Sequence, residues 1–372
     1  MISVVYFLTI FSLVFISWGF VDANAPLPKI TWLHPIVYFH TVYPTAWYTA
    51  TVGLLFGWYL WILHQTKKTL VNSKTVWSFI IGTIAILVWS YPAFSNDIFN
   101  YIATAKVAYL YGENPYITMP IDIPNEPTLA FLHAANKVAL YGPAWIAVTA
   151  IPHYLGLGNL LATLYTFKLF IVGWYLLLCY LIWIASKKNP WALAFFAFNP
   201  LVLLSTLVDG HNDVVMMALA LGAFLLSRRH RYSVAFLLLI ASTGIKGATI
   251  LLVPIFVWCW YNNRKNKYTD WQLVWYWSSI AMYVIFFLSP IREEMYPWYF
   301  IWPLTFVSLL KNPSLLIGAS YGFSVGLLLR HAPFLYTRSW MGITPVVKKI
   351  VTVLIPALSV IQYVKKSIQA KK

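Results

Sequence analysis

The residues best suited to chemistry in this chain are four acids that share one stretch, residues 91–145. The chain has 372 residues and only ten Asp and Glu in total. The stretch holds Asp97, Glu113, Asp122 and Glu126, and the segments around it are apolar enough to lie in lipid. Because the chain keeps few carboxylates and groups four of them here, we expect this stretch to be a catalytic loop.

Asp97 is the first candidate among these acids. Ser95 or Asn96 can cap a helix that begins there, and Gly112 can end it as a C-terminal glycine. Positions i, i+3, i+4 and i+7 of that helix share one face, and they are Asp97, Asn100, Tyr101 and Thr104. The pattern predicts an amphipathic helix at the membrane interface with a polar seam. The alternative is that Asp97 only complements the helix dipole in the first turn.

A second polar cluster, Val208-Asp-Gly-His-Asn-Asp213, lies between two apolar segments. Its two carboxylates, Asp209 and Asp213, and its imidazole, His211, can bind a divalent cation, orient an acceptor or support a base. A metal site needs about three or more ligands in a fixed geometry, so other loops would have to contribute. The alternative is a polar turn in which Asp213 caps the following helix.

Lys246 lies between two apolar runs of 14 and 15 residues, 232–245 and 247–261. At about 1.5 Å per residue, each run is shorter than the roughly 30 Å hydrocarbon core, so the tip between them is predicted to lie below the membrane surface. An ionisable group at that depth usually faces a cavity or a partner. Lys246 can therefore hold a lipid-linked phosphate, or it can snorkel from a single long helix.

Two later segments carry aromatic and basic residues. Glu293 and Glu294 precede Tyr296-Pro-Trp298-Tyr299, whose rings can stack on a sugar or anchor a helix at the interface. The basic group Arg330, His331 and Arg338 can clamp a phosphate or bind lipid headgroups.

The composition specifies the elements that must position these residues. The chain is 60% hydrophobic and only 10% charged, whereas soluble domains carry about 25% charged residues. The net charge of +16 does not indicate nucleic-acid binding, because the Lys and Arg form short clusters between apolar runs, as in cytoplasmic loops. Cys179 and Cys259 both lie in apolar runs, which argues against a disulfide framework or a thiolate metal site.

The apolar runs predict an all-α, polytopic transmembrane bundle with about twelve spans and a single domain over residues 1–372. The spans are predicted at about 1–21, 47–64, 75–92, 159–186, 190–208, 213–227, 232–245, 247–261, 268–289, 298–310, 313–330 and 344–363. The first is expected to stay uncleaved, although Ala23-Asn-Ala25 faintly resembles a signal-peptidase site. Residues 143–157, about 15 in number, are too short to cross and are predicted to be a juxtamembrane or re-entrant helix.

This topology places the basic clusters, including Lys365 to Lys372, and both termini in the cytoplasm. Nine of the ten acids then fall at the outer face, and only Asp270 falls inside. Acids take little part in setting topology, so the asymmetry predicts a polar site that opens outward. Lys348 and Lys349 are exceptions, because they lie at the wrong end of the last span.

Several motifs in order resemble the GT-C superfamily of integral-membrane glycosyltransferases. Within it, the chain is most similar to polyprenol-phosphate-mannose-dependent α-1,6-mannopyranosyltransferases. The resemblance covers about residues 75–310. The motifs are Asn96-Asp-Ile-Phe-Asn-Tyr101, Gly112-Glu-Asn-Pro-Tyr116, Tyr141-Gly-Pro-Ala-Trp145, Asn199-Pro200, Gly210-His-Asn-Asp213, Ile245-Lys246 and Pro297-Trp-Tyr299.

The resemblance implies a hexosyltransferase that moves a sugar, expected to be mannose, from a polyprenyl-phosphate donor to an acceptor hydroxyl with inversion. Asp97 matches the catalytic aspartate that acts as general base, at the outer face of the cell membrane. The implied partners are the lipid-linked donor, a glycan or glycolipid acceptor and membrane lipid. A divalent cation stays open as a cofactor, with Asp209 and Asp213 as candidate ligands.

Sugar binding is expected from Asn100, Tyr101, Asn114, Tyr116, Tyr141, His211, Asp213, Trp298 and Tyr299. Because the leaving phosphate needs cations near it, phosphate binding is expected from Lys246, Arg330 and Arg338. The rival functions are a lipid-linked glycan flippase or transporter, a non-catalytic partner subunit, and a polysaccharide ligase. Transporters often contain inverted repeats, and this sequence shows no internal repeat.

Overall fold

The described part of the protein is a bundle of helices without strands. The computed structural model describes residues 2–291, 293–311 and 315–369, apart from the side chains of residues 366–368. Small parts of three predicted features lie outside the described residues: residue 1 of the first span, residues 313 and 314 of the span at 313–330, and Lys371 and Lys372 of the C-terminal cluster.

The helices follow the apolar runs of the sequence. The α-helices are α1 (Ile2–Ser17), α2 (Leu33–Phe39), α3 (Val42–Lys67), α4 (Ser73–Leu87), α5 (Asp97–Tyr109), α6 (Pro143–Leu155), α7 (Leu160–Ala185), α8 (Pro190–Ala197), α9 (Pro200–Val202), α10 (Asp213–Arg228), α11 (Tyr232–Thr243), α12 (Val253–Arg264), α13 (Trp271–Leu288), α14 (Ile301–Val307), α15 (Leu315–Leu329), α16 (Ala332–Thr337) and α17 (Thr344–Gln369). A π-helical segment, Leu203–Val208, continues α9, and 3₁₀ turns occupy Trp18–Phe20, Pro120–Asp122, Pro127–Ala130, Gly247–Leu252, Ser289–Ile291 and Pro297–Phe300.

These elements confirm a polytopic helical membrane protein. Six helical segments of the described chain are long and apolar enough to cross a bilayer alone: Ile2–Phe20, Val42–Lys67, Leu160–Ala185, Trp271–Ile291, Leu315–Thr337 and Thr344–Lys365. The pair α8 and α9, bent by 49°, is a seventh if it forms one span. The other five predicted spans form shorter helices, so the count of about twelve stays a prediction.

The central helix of the bundle is α10. Nearly all of its residues are buried, and it is covered by α7, α11, α12 and α14. A helix that is apolar on every side is stable only inside a protein or a membrane. Because protein surrounds α10, its 16 residues do not have to match the thickness of the bilayer.

A glycine stripe joins the last two long helices. Gly318, Gly322 and Gly326 recur every four residues along α15 and face α17. A Cβ added to Gly322 would lie 2.4 Å from Pro356 Cα, which no real side chain allows. Small residues at this spacing let helix backbones approach closely, which is a common way to pack helices in membranes.

The Tyr141-Gly-Pro-Ala-Trp145 motif joins the stretch of residues 91–145 to the turn that carries Lys246. The Gly142 and Ala144 N–H groups donate to the Ile245 and Gly244 carbonyls at 3.0 and 2.9 Å. A Cβ on Gly142 would lie 2.2 Å from the Gly244 oxygen, so this contact requires glycine. Helix α6 then begins at Pro143 and is 13 residues long, in agreement with the prediction that this segment does not cross.

Candidate active site

Asp97, Asp209, Glu294, Arg330 and Lys348 meet at one cavity of about 280 Å³. Its lining residues from the first part of the chain are Tyr48, Phe94, Ser95, Asn96, Asp97, Asn100, His133, Leu204, Ser205 and Asp209. Those from the later part are Glu294, Met295, Tyr296, Pro297, Trp298, Leu328, Arg330, His331, Trp340 and Lys348. We call Asp97 and Asp209 the carboxylate wall, and Glu294, Arg330 and Lys348 the cation wall.

Asp97 is the first residue of α5. Asn96 occupies the capping position but makes no capping bond, and its Nδ2 donates to His133 Nδ1 at 2.8 Å. Ser95 Oγ accepts the Asp97 N–H at 3.2 Å. Gly112 has φ +69° just beyond the end of the helix, as predicted for a C-terminal glycine. The predicted interfacial face is covered by protein, since Tyr101, Thr104, Ile98 and Ile102 are all buried.

The Asp97 carboxylate faces the His211 imidazole, with Oδ2 and Nδ1 3.4 Å apart. Burial by itself raises the pKa of Asp97, but the contact with His211 and the charge of Lys246 outweigh it and hold the pKa below the ordinary value. The side chain keeps 24% of its surface accessible. Asp97 is therefore an ionised carboxylate that opens into the cavity at neutral pH.

His211 is held from two sides. Gly210 has φ +74° and lies so close to Ile98 that a Cβ would come within 2.8 Å of its Cδ1, which fixes the turn against α5. The imidazole stacks on Trp298 with ring centroids 3.8 Å apart, and Trp298 stacks on Tyr296 at 4.6 Å. His211 is fully buried, and neither ring nitrogen makes a hydrogen bond within the described chain. The ring is thus oriented toward Asp97 by packing.

Asp209 is the second acid of the carboxylate wall, and its environment shifts its pKa in the opposite direction to that of Asp97. Its Oδ1 accepts the Phe94 N–H at 3.0 Å, and the residue is 4% exposed. Burial raises the pKa of Asp209 to about 8, although the Phe94 N–H and the Lys168 charge act in the other direction. Two carboxyls of one cavity whose pKa values differ in this way have different protonation states at pH 7.

Asp213 and Lys246 form an ion pair. Lys246 Nζ donates to Asp213 Oδ2 at 2.8 Å, and the Trp302 indole donates to Oδ1 at 2.6 Å. Lys246 also lies over the Tyr299 ring at 5.1 Å. The alternative of a single long helix through Lys246 is wrong, because α11 ends at Thr243 and a 3₁₀ turn begins at Gly247. The ammonium has a carboxylate partner and does not line the cavity.

The cation wall is centred on Glu294. Its Oε1 accepts from Arg330 Nη2 at 2.6 Å and lies 2.6 Å from Lys348 Nζ. Lys348 also lies 4.6 Å from the centroid of the Trp340 ring. Lys348 was an exception to the predicted distribution of Lys and Arg across the membrane. The structure gives this lysine an acidic partner, Glu294, from a separate segment of the chain. Arg330 lines the cavity, as a phosphate ligand must.

Arg338 has a different contact. Its Nη2 donates to the carbonyl groups of Val37 and His40, the latter at 2.8 Å, at the end of α2. It does not line the cavity. These bonds tie the segment after α16 to the early loop.

Some of the other predicted sugar-binding residues line the cavity, and the rest do not. Asn100 lines the cavity, and its buried Oδ1 has no hydrogen-bond partner within the described chain, so it can accept from a bound hydroxyl. Tyr101 and Tyr141 are buried with ring centroids 4.6 Å apart, and the Tyr101 hydroxyl accepts the Asn212 N–H at 3.3 Å. Tyr299 donates to Glu293 Oε2 at 2.5 Å and does not line the cavity.

The Gly112-Glu-Asn-Pro-Tyr116 motif shapes the loop. Asn114 Oδ1 accepts the Tyr116 N–H at 3.0 Å, as in an Asx turn. The Tyr116 hydroxyl donates to the Tyr141 carbonyl at 2.8 Å. Neither Asn114 nor Tyr116 lines the cavity. The Tyr116 bond holds the middle of residues 91–145 against the end of this stretch.

Three of the four clustered acids have local partners outside the cavity. Glu126 is buried and accepts from Lys106, Tyr111 and Thr128. Asp122 accepts the Met119 N–H at 2.8 Å, and the exposed Glu113 has Thr118 Oγ1 at 3.5 Å from its Oε2. Among the acids of residues 91–145, the cavity therefore receives Asp97.

The candidate metal ligands are not grouped. Among residues 2–291, 293–311 and 315–369 there is no set of three or more His, Cys, Asp or Glu that could hold a metal ion. Asp209 bonds the backbone of Phe94, and Asp213 bonds Lys246 and Trp302. A divalent cation stays an untested alternative.

Comparison with known proteins identifies the family. A family model described as alpha-(1->6)-mannopyranosyltransferase, N-terminal domain, matches residues 6–262, well over half of the chain. The chain belongs to this mannopyranosyltransferase family. It is 24% identical over 216 residues to alpha-(1->6)-mannopyranosyltransferase A of Mycobacterium tuberculosis (strain ATCC 25618 / H37Rv), which covers 55% of this chain and 39% of that relative. The chain thus matches about two fifths of the relative's length. No solved structure matches it significantly.

The residues matched by the mannopyranosyltransferase family model include one wall of the cavity and not the other. The carboxylate wall lies within residues 6–262, and the cation wall lies after them. The ion pair of Asp213 with Lys246 lies in the matched part, but Trp302, whose indole donates to Asp213, does not.

Besides the place of Lys348 in the cavity, sequence reasoning on this chain missed three residues. His133 bonds Asn96, and Trp302 bonds Asp213. Lys168 is fully buried within α7 and donates to Ser90, both to its carbonyl and to its hydroxyl at 2.8 Å. A lysine inside the apolar run 159–186 was a visible signal for Lys168, because an ionisable group in a span is costly and usually functional.

Proposed function

We propose that this protein is a membrane mannosyltransferase of the GT-C type, which transfers mannose from a polyprenyl-phosphate donor to an acceptor hydroxyl. One observation carries the proposal: an ionised carboxylate, Asp97, and a pair of cations, Arg330 and Lys348, line the same cavity. A transfer of this kind needs a base on one side of the anomeric carbon and positive charge near the leaving phosphate on the other. The family match supports mannose as the sugar.

Asp97 acts as the general base. The acceptor oxygen bonds to the anomeric carbon while the bond from that carbon to the phosphate oxygen breaks, and the hydroxyl proton passes to Asp97. Attack opposite to the leaving group inverts the anomeric centre. A pKa below the ordinary value keeps Asp97 ionised before the reaction, and the hydroxyl becomes acidic enough to give up its proton as its oxygen bonds to carbon.

His211 orients the base. Its Nδ1 is 3.4 Å from Asp97 Oδ2, and its ring is held by Trp298. Asn100 Oδ1 has an open acceptor position beside it, which suits a sugar hydroxyl. Tyr296 and Trp298 offer the apolar ring surfaces that sugar faces pack against.

The cation wall receives the phosphate. Polyprenyl phosphate leaves with negative charge, and charge-assisted hydrogen bonds from Arg and Lys stabilise such a group as the charge develops. Arg330 and Lys348 line the cavity, whereas Lys246 is neutralised by Asp213 and Arg338 bonds carbonyl groups elsewhere. We therefore replace Lys246 and Arg338 by Lys348 in the proposed phosphate set.

The cavity is proposed to open at the outer face of the cell membrane. Most of the acids and the cation wall were predicted at that face from the distribution of Lys and Arg. Lys348 was an exception to this distribution and has an acidic partner in the cavity. The lipid tail of the donor would stay in the membrane while its head group enters a cavity at the ends of the spans.

The test is transfer by the purified protein in lipid nanodiscs. Radiolabelled polyprenyl-phosphate mannose is supplied with a glycan or glycolipid acceptor, and the product is analysed for labelled mannose and its anomeric configuration. We expect transfer with inversion. Movement of the labelled lipid across proteoliposomes without transfer would contradict the proposal and favour a flippase. Joining of preassembled lipid-linked glycans would favour a ligase.

A further inference from the structure

The cation wall has one carboxylate oxygen for two cations. Glu294 Oε1 is 2.6 Å from both Arg330 Nη2 and Lys348 Nζ. One negative charge shared by two positive charges leaves the cluster with an excess of +1. The two donors converge on one point, so they must lie within about 5 Å of each other, a spacing that two oxygens of one phosphate can bridge.

The two cations are fixed more firmly than the acid. The Arg330 and Lys348 side chains are 10% and 12% exposed, whereas that of Glu294 is 42% exposed. Arg330 belongs to the end of the span that contains α15, and Lys348 belongs to α17. Glu294 lies between two 3₁₀ turns, Ser289–Ile291 and Pro297–Phe300, and so is joined to the bundle by a short irregular segment.

We propose that Glu294 is a displaceable counter-ion, which occupies the anion site of the cation wall until a phosphate group replaces it. Because Glu294 is 42% exposed, its carboxylate can regain water when it leaves, so its ion pairs are easier to break than those of a fully buried acid. A phosphate offers several oxygens to the same two donors and makes stronger charge-assisted bonds. The carboxylate therefore neutralises the buried cations when the site holds no phosphate, and its competition lowers the apparent affinity for phosphate.

Displacement of Glu294 also reaches the base. Trp298 follows Glu294 by four residues and stacks on His211 at 3.8 Å, and His211 faces Asp97. Tyr296 lies between Glu294 and Trp298 in the chain and stacks on Trp298 at 4.6 Å. A shift of this segment when phosphate enters would change the packing that orients His211. This coupling rests on the proposed function, because it matters only if Asp97 is the base.

The experiment measures binding alone, without donor sugar or acceptor. Radiolabelled polyprenyl phosphate is titrated against the full chain in nanodiscs of neutral lipid, for the wild type and for Glu294→Gln. We expect Glu294→Gln to bind about two- to fivefold more tightly, since the competing carboxylate is gone. Glu113→Gln is the matched control, because it removes one charge from an exposed site outside the cavity and should change the affinity little.

Two further variants test the cations. Arg330→Met and Lys348→Met should each weaken binding about tenfold or more. In the Lys348→Met background, Glu294→Gln should have a smaller effect, because the acid then competes for one cation. If Glu294→Gln fails to fold, Glu294→Asp serves instead. The shorter carboxylate should compete less well for the two cations, so this variant should bind phosphate more tightly than the wild type. Unchanged or weaker binding by the folded Glu294 variants would overturn the proposal.

Three parallel binding measurements distinguish the possible sources of the phosphate. Polyprenyl phosphate, inorganic phosphate and phosphatidylglycerol vesicles are compared at equal phosphate concentration. All three have the required chemistry, and tight binding of the first alone assigns the site to a lipid-linked phosphate. Tighter binding by Glu294→Gln without any mannose transfer by the wild type would retain the anion site and reject the proposed function. Transfer with unaltered binding by Glu294→Gln would reject only the counter-ion.

Discussion

The two walls of the cavity are built in different ways. The carboxylate wall is held by backbone and packing: Asp97 begins a buried helix, Asp209 bonds a backbone N–H, and His211 is held by ring stacking. The cation wall is held by side-chain ion pairs between Glu294, Arg330 and Lys348.

This difference follows the division of the chain. The family model covers the carboxylate wall and ends before the cation wall. A base must hold its geometry closely, because misplacement by about 1 Å can cost a hundredfold in rate. A binding site for the donor phosphate can exchange partners. We infer that the matched part carries the proton transfer and that the later part receives the donor phosphate.

The largest expected effect is that of Asp97→Asn. The amide keeps the size of the side chain but cannot accept the acceptor proton, so transfer should fall by about 10²–10⁴-fold. The measurement is single-turnover transfer of labelled sugar in nanodiscs, with Glu113→Gln as the control for loss of one exposed charge. An Asp97→Asn rate within a few fold of the wild type would remove the base from the carboxylate wall.

A second prediction tests whether Lys246 belongs to the cation wall. Breaking its pair with Asp213 by Lys246→Met leaves a fully buried carboxylate without its charged partner, which should lower stability by about 3–5 kcal/mol. The double variant Asp213→Asn with Lys246→Met should recover part of this loss. Thermal unfolding is the measurement.

The control for this pair is Asp270→Ala, which removes an exposed helix cap and should cost about 1 kcal/mol. A Lys246→Met protein that is as stable as the wild type but binds polyprenyl phosphate tenfold more weakly would contradict our assignment. It would return Lys246 to the phosphate site.

The smallest expected effect separates the two acids of the carboxylate wall. Since the pKa of Asp209 is raised to about 8, its carboxyl is neutral at pH 7, and Asp209→Asn should keep most of the transfer activity. The native state holds this proton more tightly than the unfolded state, so wild-type stability should fall as the pH rises from about 4 to about 8. Asp209→Asn should lack this part of the pH dependence.

Unfolding midpoints at pH 5 and pH 8 measure this difference. A wild type that gains stability relative to Asp209→Asn over that range would show that Asp209 is ionised. A loss of transfer as large as that of Asp97→Asn would show that the two acids act as a pair.

Local sequence predicted much of the carboxylate wall. The helix that begins at Asp97 and the glycine that follows it were predicted from capping residues, and both are present. His211 was predicted from its place between two acids. These residues are close in the chain or lie in turns that have strong local signals, such as Gly210.

The cation wall could not be predicted in the same way. Glu294, Arg330 and Lys348 come from three elements, which meet because α15 packs on both α17 and the turn Pro297–Phe300 that follows Glu294. Lys246 was expected to face a cavity or a partner, but local sequence could not identify Asp213 as that partner, because it lies 33 residues away in the chain. Hydropathy identifies the spans, and the distribution of Lys and Arg assigns a residue to a side of the membrane, but neither gives its depth or its neighbours.

The most direct test of the account is whether both walls face one cavity at the outside of the cell. Asp97→Cys and Lys348→Cys are made separately and labelled in intact cells with a membrane-impermeant maleimide. The native Cys179 and Cys259 are both buried, so the background should be low. We predict that both positions are labelled from outside and that polyprenyl phosphate protects them. Labelling of either position only after permeabilisation would contradict the shared outer cavity.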